Sequence, residues 1–329
     1  MESSTAFLSG ALRSSGICST PPRPIARLRA LKTRWHFAEY LLAKSALGSL
    51  EVMPPRAALQ LADCAGWLTY FLSRRCRTIS RENLRLSGLV QNDRDLRPLA
   101  IRSLQSFTRM LAETTLLRHK IRPDNWRDYV RVNPSPGLEA MLKNPRQGLL
   151  AVSAHLGNWE VAARAFSMIK PVSMIYRPLR NPHLDRYLTQ GRTGGQLSLI
   201  SKFDVGPRRL LEVLAEGGIL ALMIDQRMPT NSERLQVDFF GRPAWTTRSV
   251  AMMHLTTRVP IVVACAVRTG TLQFELNIVG PLAFPRSGNR ETDVRTITEA
   301  VTAEVERQIR RHPDQYMWSH RRWCAPHAR

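Results

Sequence analysis

The longest run in this chain free of Asp, Glu, Lys and Arg is thirteen residues, Gln147 to Trp159. A membrane-crossing helix needs ~20 apolar residues, so no segment of the sequence spans a bilayer. The chain must therefore bury its apolar residues against one another. Its 329 residues suffice for one large domain or two modest ones. With 43% hydrophobic and 22% charged residues, disorder is excluded for most of its length.

Charge narrows the partners. Lys plus Arg total 48 against 26 Asp plus Glu, a net +22, and only six of the 48 are lysines. Arginine presents a planar fork of donors suited to phosphate and carboxylate, so a nucleic acid, an anionic membrane surface or an acidic ligand all fit. Arginine-rich codon usage accounts for part of the excess equally well, without removing the field. The five cysteines, Cys18, Cys64, Cys76, Cys265 and Cys324, form no C-x-x-C pair and no zinc spacing. They read as reduced thiols of a cytosolic environment, and no metal is expected.

Three regions follow from composition and periodicity. Residues 1–34 are rich in Ser, Pro and Arg, with Glu2 their only acid, and read as a flexible tail or, more weakly, a transit peptide. Residues 35–122 carry helical periods: Ala57, Leu61, Cys64, Leu68 and Phe71 after Pro54-Pro55, then Leu96, Leu99, Leu104, Phe107, Met110, Leu111 and Leu117. Arg74, Arg75, Arg77, Arg81 and Arg85 lie between them. The region reads as an amphipathic, membrane-associating platform, or as the plain packing of a helical cap. From residue 123 to 329, strand-like runs (Tyr129–Val132, Gly148–Ala154, Pro171–Ile175, Gly218–Ile224, Val237–Phe240, Val259–Val267, Leu272–Ile278) alternate with helical ones (Trp159–Met168, Pro182–Thr193, Pro207–Ala215, Thr246–Thr257). That alternation predicts an α/β domain whose mixed, largely parallel sheet is flanked by helices.

The chemistry concentrates in one turn. Phosphate-loop, dinucleotide, nucleophile-elbow and zincin motifs are all absent from the sequence. The buried strand Gly148–Ala154 instead runs through His155-Leu-Gly-Asn-Trp-Glu160 into a helix. Gly157 permits a tight bend and Asn158 suits a helix N-cap. His155 falls at the carboxyl end of a strand, where open α/β sheets place ligands. Glu160, in the first helical turn, is expected to orient the imidazole, making the pair a general base.

These residues carry a resemblance. HLGNWE at positions 155–160 resembles the H-x4-D/E block of the glycerolipid acyltransferase superfamily, and more narrowly the lipid A biosynthesis (lauroyl/myristoyl) acyltransferase family. Arg81-Glu-Asn-Leu-Arg-Leu86, Tyr176-Arg177-Pro178 with Asn181-Pro182, Asp225-Gln226, Val237-Asp-Phe-Phe-Gly241 and Pro313-Asp-Gln-Tyr-Met-Trp-Ser-His-Arg-Arg-Trp323 match in order. The resemblance covers roughly residues 36–323. It implies acyl transfer from an acyl carrier protein or coenzyme A thioester to a glycolipid hydroxyl, with His155 as base, Glu160 orienting it and no cofactor beyond that co-substrate. Arg177 is then the candidate oxyanion donor, assisted by backbone amides near Leu156 and Gly157. Asn158, Asp225 and Gln226 are expected at the substrate, and Phe239, Phe240 and Gly241 beside the acyl chain. Arg180, Arg186, Lys202, Arg321 and Arg322 are expected to meet phosphates or the acidic carrier. The implied location is the cytoplasmic face of the inner membrane, peripheral or monotopic. Family members commonly begin with a hydrophobic membrane helix, which Lys44, Glu51, Arg56 and Asp63 interrupt here; Trp245 and Arg248 also stand where smaller residues are expected.

Two alternatives stay open at this point. The acceptor could equally be a phosphatidylinositol mannoside or a lysophospholipid. A basic nucleic-acid- or membrane-binding protein without catalysis would explain the charge, but no helix-turn-helix, zinc-finger or RNA-recognition pattern is present.

Overall fold

A computed structural model describes residues 23–323, apart from 193–195, 204–205 and 228–233, with side chains from Trp35 onward. Residues 1–22 of the expected tail, Cys18 and Cys324 lie outside the described residues. The helical region is built of α1 (Arg23–Val52), α2 (Pro55–Leu72), α3 (Arg74–Leu86) and α4 (Asp93–Leu117). Pro55 opens α2, where its missing N–H costs nothing. Ser73 caps α3, its hydroxyl accepting from the Cys76 amide at 3.2 Å. α2 lies tightly on α4: a Cβ added at Gly66 would come within 2.5 Å of the Gln105 Cα.

The alternating region follows as β1 (Val130–Pro134), α5 (Leu138–Lys143), β2 (Leu149–Ser153), α6 (Trp159–Ser167), β3 (Val172–Tyr176), α7 (Pro182–Arg192), β4 (Leu197–Ser201), α8 (Pro207–Ala215) and β5 (Ile219–Met223). Then come β6 (Arg234–Phe239), β7 (Arg242–Thr247), α9 (Ser249–Thr257), β8 (Ile261–Gly270), β9 (Gln273–Val279) and α10 (Arg290–Arg311). Seven strands form one sheet in the order β1-β9-β8-β2-β5-β3-β4. Every neighbouring pair is parallel except β8 with β9. This is the mixed, largely parallel α/β architecture that the alternation predicts.

Burial explains the apolar runs. Leu150, Val152, Ile261, Val263 and Cys265 face one core, shared with Val294, Ile297, Val301, Val305 and Ile309 of α10 and with Leu84, Leu96 and Leu104 of the helical region. Their neighbours Leu149, Ala151, Val262, Ala264 and Ala266 face a second core with α6 on the other side. Residues of a strand point alternately to its two faces, so a sheet covered on both sides needs continuous rather than alternating hydrophobicity.

Two expectations are corrected. Val237–Phe240 belongs not to the main sheet but to a separate β6–β7 hairpin. Its two-residue turn holds Phe240 and Gly241 at φ 58° and 70°, the left-handed pair that matches the strand twist. The stretch Thr246–Thr257 is not one helix: Thr246 and Thr247 end β7, and α9 starts at Ser249. Among the described residues no helix is long and apolar enough to cross a membrane.

Candidate active site

β2 is the central strand, and the site forms where it ends. After Ser153 the chain bends through Gly157, whose φ is +62° and whose added Cβ would lie 2.0 Å from the Ala266 carbonyl oxygen. Only glycine fits that approach. Asn158 then caps α6, its Oδ1 accepting from the Val161 amide at 3.1 Å. Its Nδ2 donates to Glu113 at 3.1 Å, and the buried Glu113 is paired with the mostly enclosed Arg268. The turn is thereby tied to both α4 and β8.

The parallel register decides what His155 meets. Ser153 lies opposite Met223 of β5, so two residues further along each chain His155 stands beside Asp225. The His155 ring Nδ1 lies 2.9 and 3.1 Å from the two Asp225 oxygens, and the His155 main-chain N–H donates to Oδ2 at 3.0 Å. Burial alone would raise the Asp225 carboxyl. The His155 charge, the ring and backbone hydrogen bonds from His155 and the charge of His320 outweigh burial and hold it at about 2. A carboxylate on Nδ1 places the ring proton there and leaves the Nε2 lone pair facing outward. Gln226 meets that lone pair, its Nε2 amide 3.0 Å away.

The segment after α10 closes the site. Leu156 and Tyr316 form an isolated antiparallel bridge, and the Met317 amide donates to the His155 carbonyl at 3.0 Å. Asn83 of α3 holds the carbonyls of Trp318, at 2.7 Å, and His320, while Ser103 of α4 holds that of Tyr316 at 2.6 Å. His320 stands with its ring centroid 5.0 Å from that of His155. Burial, then the neighbouring His155, lower its pKa to about 4 despite Asp225. The buried Tyr316 phenol beside Asp225 is pushed well above its ordinary range. Trp159 sets its ring edge against His155 at 4.9 Å.

Several sequence expectations change here. Glu160 does not orient the imidazole: it points across to the last residue of α7, where Arg192 grips both its oxygens, one at 2.8 Å. The backbone amides of Leu156 and Gly157 are not free for an oxyanion, because they donate to Ala154 and Gln315 at 2.7 and 3.1 Å. Asn158 is wholly buried and occupied as a cap. Phe239 and Phe240 are core residues: both are buried, with Phe240 against Trp318 and Phe239 against Trp323, each pair at 5.7 Å. Gly241 is the exposed hairpin turn. Arg322 cannot meet a carrier, being buried. It holds the carbonyls of Trp245 at 2.7 Å and Gln226 at 3.4 Å.

Arg177, Arg180, Arg186, Lys202 and Arg321 are exposed. Arg177 directly follows β3, which neighbours β5, and so shares the sheet edge with His155 and Asp225. Cys265 lies behind the site, its thiol pushed up to about 12 by burial. No group of His, Cys, Asp or Glu suited to a metal ion occurs among the described residues. The site as built is an imidazole with one nitrogen fixed by a carboxylate and the other met by the side-chain amide of the exposed Gln226.

The model of the family described as bacterial lipid A biosynthesis acyltransferase matches residues 29–325. This chain belongs to that family. It is similar to the lipid A biosynthesis lauroyltransferase of Escherichia coli (strain K12), 25% identical over 258 residues that cover 77% of this chain and 80% of the relative. The lipid A biosynthesis palmitoleoyltransferase of the same organism is 23% identical over 259 residues, with 77% and 80% covered. A lipid A biosynthesis acyltransferase of Haemophilus influenzae is 24% identical over 267 residues, covering 78% and 81%. As a member of the lipid A acyltransferase family, the protein is an acyltransferase.

Proposed function

We propose that this protein moves a fatty acyl group from an acyl carrier protein or coenzyme A thioester to a hydroxyl of a lipid A precursor or related glycolipid, at a membrane surface. The observation that carries the mechanism is the His155–Asp225 pairing, which leaves Nε2 basic and outward-facing. The acceptor hydroxyl takes the place of the Gln226 amide at Nε2. As its oxygen bonds to the thioester carbonyl carbon, Nε2 takes its proton, and Asp225 stabilises the imidazolium that forms. Donors at the mouth then meet the oxyanion: the displaced Gln226 amide and the Arg177 guanidinium, since the turn's own amides are committed. Collapse breaks the carbon–sulfur bond, and the departing thiolate recovers the proton from His155.

The rim suits an amphiphilic acceptor. Leu179 and Phe203, both exposed, stand among Arg177, Arg180 and Lys202, just beyond β3 and β4. Apolar and cationic side chains together match acyl chains joined to phosphate-bearing head groups.

Incubating the purified protein with radiolabelled acyl thioester and each acceptor in turn, with mass spectrometry of the lipids, tests the reading. Acylated lipid A precursor is expected, and His155→Ala should abolish it while remaining folded. Product only from a phosphatidylinositol mannoside or lysophospholipid would move the assignment to those acceptors, and near-normal turnover by His155→Ala would overturn the mechanism.

A further inference from the structure

α2 is apolar on both of its sides. Ala58, Leu59, Ala62, Gly66 and Tyr70 are buried, on the side that meets α4. On the outward side Leu61, Trp67, Leu68, Phe71 and Leu72 are exposed to between 38% and 76%, with exposed Cys64 and Ala65 among them. From Leu61 to Leu72 the one charged residue is Asp63, and Arg109 of α4 already binds it. A helix facing water carries its charges outward, and a contiguous exposed apolar face of this kind marks a contact surface.

The charge around the face indicates its occupant. Beyond Leu72 the chain reads Ser73-Arg74-Arg75-Cys76-Arg77, with Arg74 and Arg75 exposed. Arg77 holds the last carbonyls of α2, those of Tyr70 and Phe71, at 3.0 and 2.9 Å. The Arg97 guanidinium of α4 sits 5.4 Å over the Phe71 ring. Aromatic and leucine side chains bordered by arginine complement an anionic lipid leaflet, where rings settle at the head-group level and cations meet phosphate.

We propose that the outward face of α2, Leu61 to Leu72, beds in the acyl layer of an anionic leaflet, with Arg74, Arg75 and Arg97 at the phosphates. The inference deepens the membrane part of the reading above by naming the element that enters lipid, and it stands apart from the transfer chemistry. The helix lies in the surface rather than across it, because its other side is committed to α4 through Gly66.

Cys64 lies on this face and reports on it directly. Full-length protein carrying C18S, C76S and C324S is labelled at Cys64 with an environment-sensitive fluorophore; Cys265 is buried and does not compete. It is mixed with vesicles of phosphatidylglycerol and phosphatidylethanolamine brominated at mid-chain. A blue shift with quenching is expected, weaker on phosphatidylcholine, and none from a label placed at Glu139→Cys on α5 once C64S is added to that background. The triple variant L61S/L68S/L72S should partition at least about a hundredfold more weakly while staying folded with a modestly lowered Tm, since Leu61 and Leu68 are about half exposed and Leu72 more so. Absence of quenching on every vesicle would overturn the proposal. So would a lipid-free dimer that the triple variant dissolves, or a label shielded until residues 1–22 are removed. A His155→Ala protein that still shows quenching but no transfer separates this proposal from the catalytic one.

Discussion

Replacing Asp225 with Asn keeps the size of the side chain and removes the charge that fixes His155. The His155 main-chain N–H needs an acceptor at 3.0 Å, and the Asn carbonyl oxygen can supply it. The Asn amide NH2 then faces Nδ1, where the carboxylate oxygens now lie at 2.9 and 3.1 Å. A donor there forces Nδ1 to accept, moves the ring proton to Nε2 and abolishes the base. A tautomer switch of this kind costs an acid–imidazole pair about 10⁴-fold in kcat, so a loss of roughly 10³–10⁴ is expected with KM little changed. Asp225 sits at about 2 against its ordinary 3.8, so the same change removes roughly 2 kcal/mol of stability at neutral pH. Glu160→Gln should behave differently. It frees Arg192 from a largely enclosed pair, costing about 1–3 kcal/mol of stability but less than about tenfold in kcat at low temperature. The double variant Glu160→Gln/Arg192→Met should recover much of that stability. Steady-state kinetics beside urea unfolding of all four proteins decides the matter. If Glu160→Gln alone matches the kinetic loss of Asp225→Asn, and Arg192→Met restores nothing, Glu160 is the acid of the imidazole and the reasoning is wrong.

Two further outcomes follow from the same neighbourhood. Gly157→Ala places a methyl 2.0 Å from the Ala266 oxygen at a φ of +62°, which should cost about 3 kcal/mol or more and disorder the His155 turn; a Tm within a degree of the parent would contradict it. His320 has its pKa lowered to about 4 in the fold against an ordinary 6.5, so the unfolded chain binds its proton first as pH falls. Stability should therefore decline from about pH 6.5 down to about 4, by roughly 3 kcal/mol in total. His320→Gln should flatten that decline in urea titrations, and an unchanged slope would refute the assignment.

The sheet was legible because strands buried on both faces carry uninterrupted apolar runs, as Leu149–Val152 and Ile261–Val267 do. β7 was not, since Arg242, Pro243 and Trp245 form no apolar run and its partner is a hairpin strand. Gly157 and Asn158 announced the turn through local chemistry, and the structure uses both as that chemistry requires. The partner of His155 was hidden for a physical reason: Glu160 is near in sequence, whereas Asp225 is adjacent only once β2 and β5 pair in register. An acid directly after an apolar strand was the available signal, and it pointed to the cleft without saying whom the carboxylate would face. Arg322 likewise reads as a surface cation until Trp245, Thr246 and Gln226 enclose it.

The clasp made by Tyr316, Met317 and Trp318 over the His155 turn has a consequence for biogenesis. Every strand of the sheet precedes Pro313 in the chain, so both halves of the acid–imidazole pair are synthesised before the strap that secures them. Competence would then arrive late and abruptly, when Asn83 and Ser103 capture the emerging carbonyls. A chain interrupted before that point would lose Tyr316, Trp318 and Trp323 from the core as well as the clasp on the His155 turn.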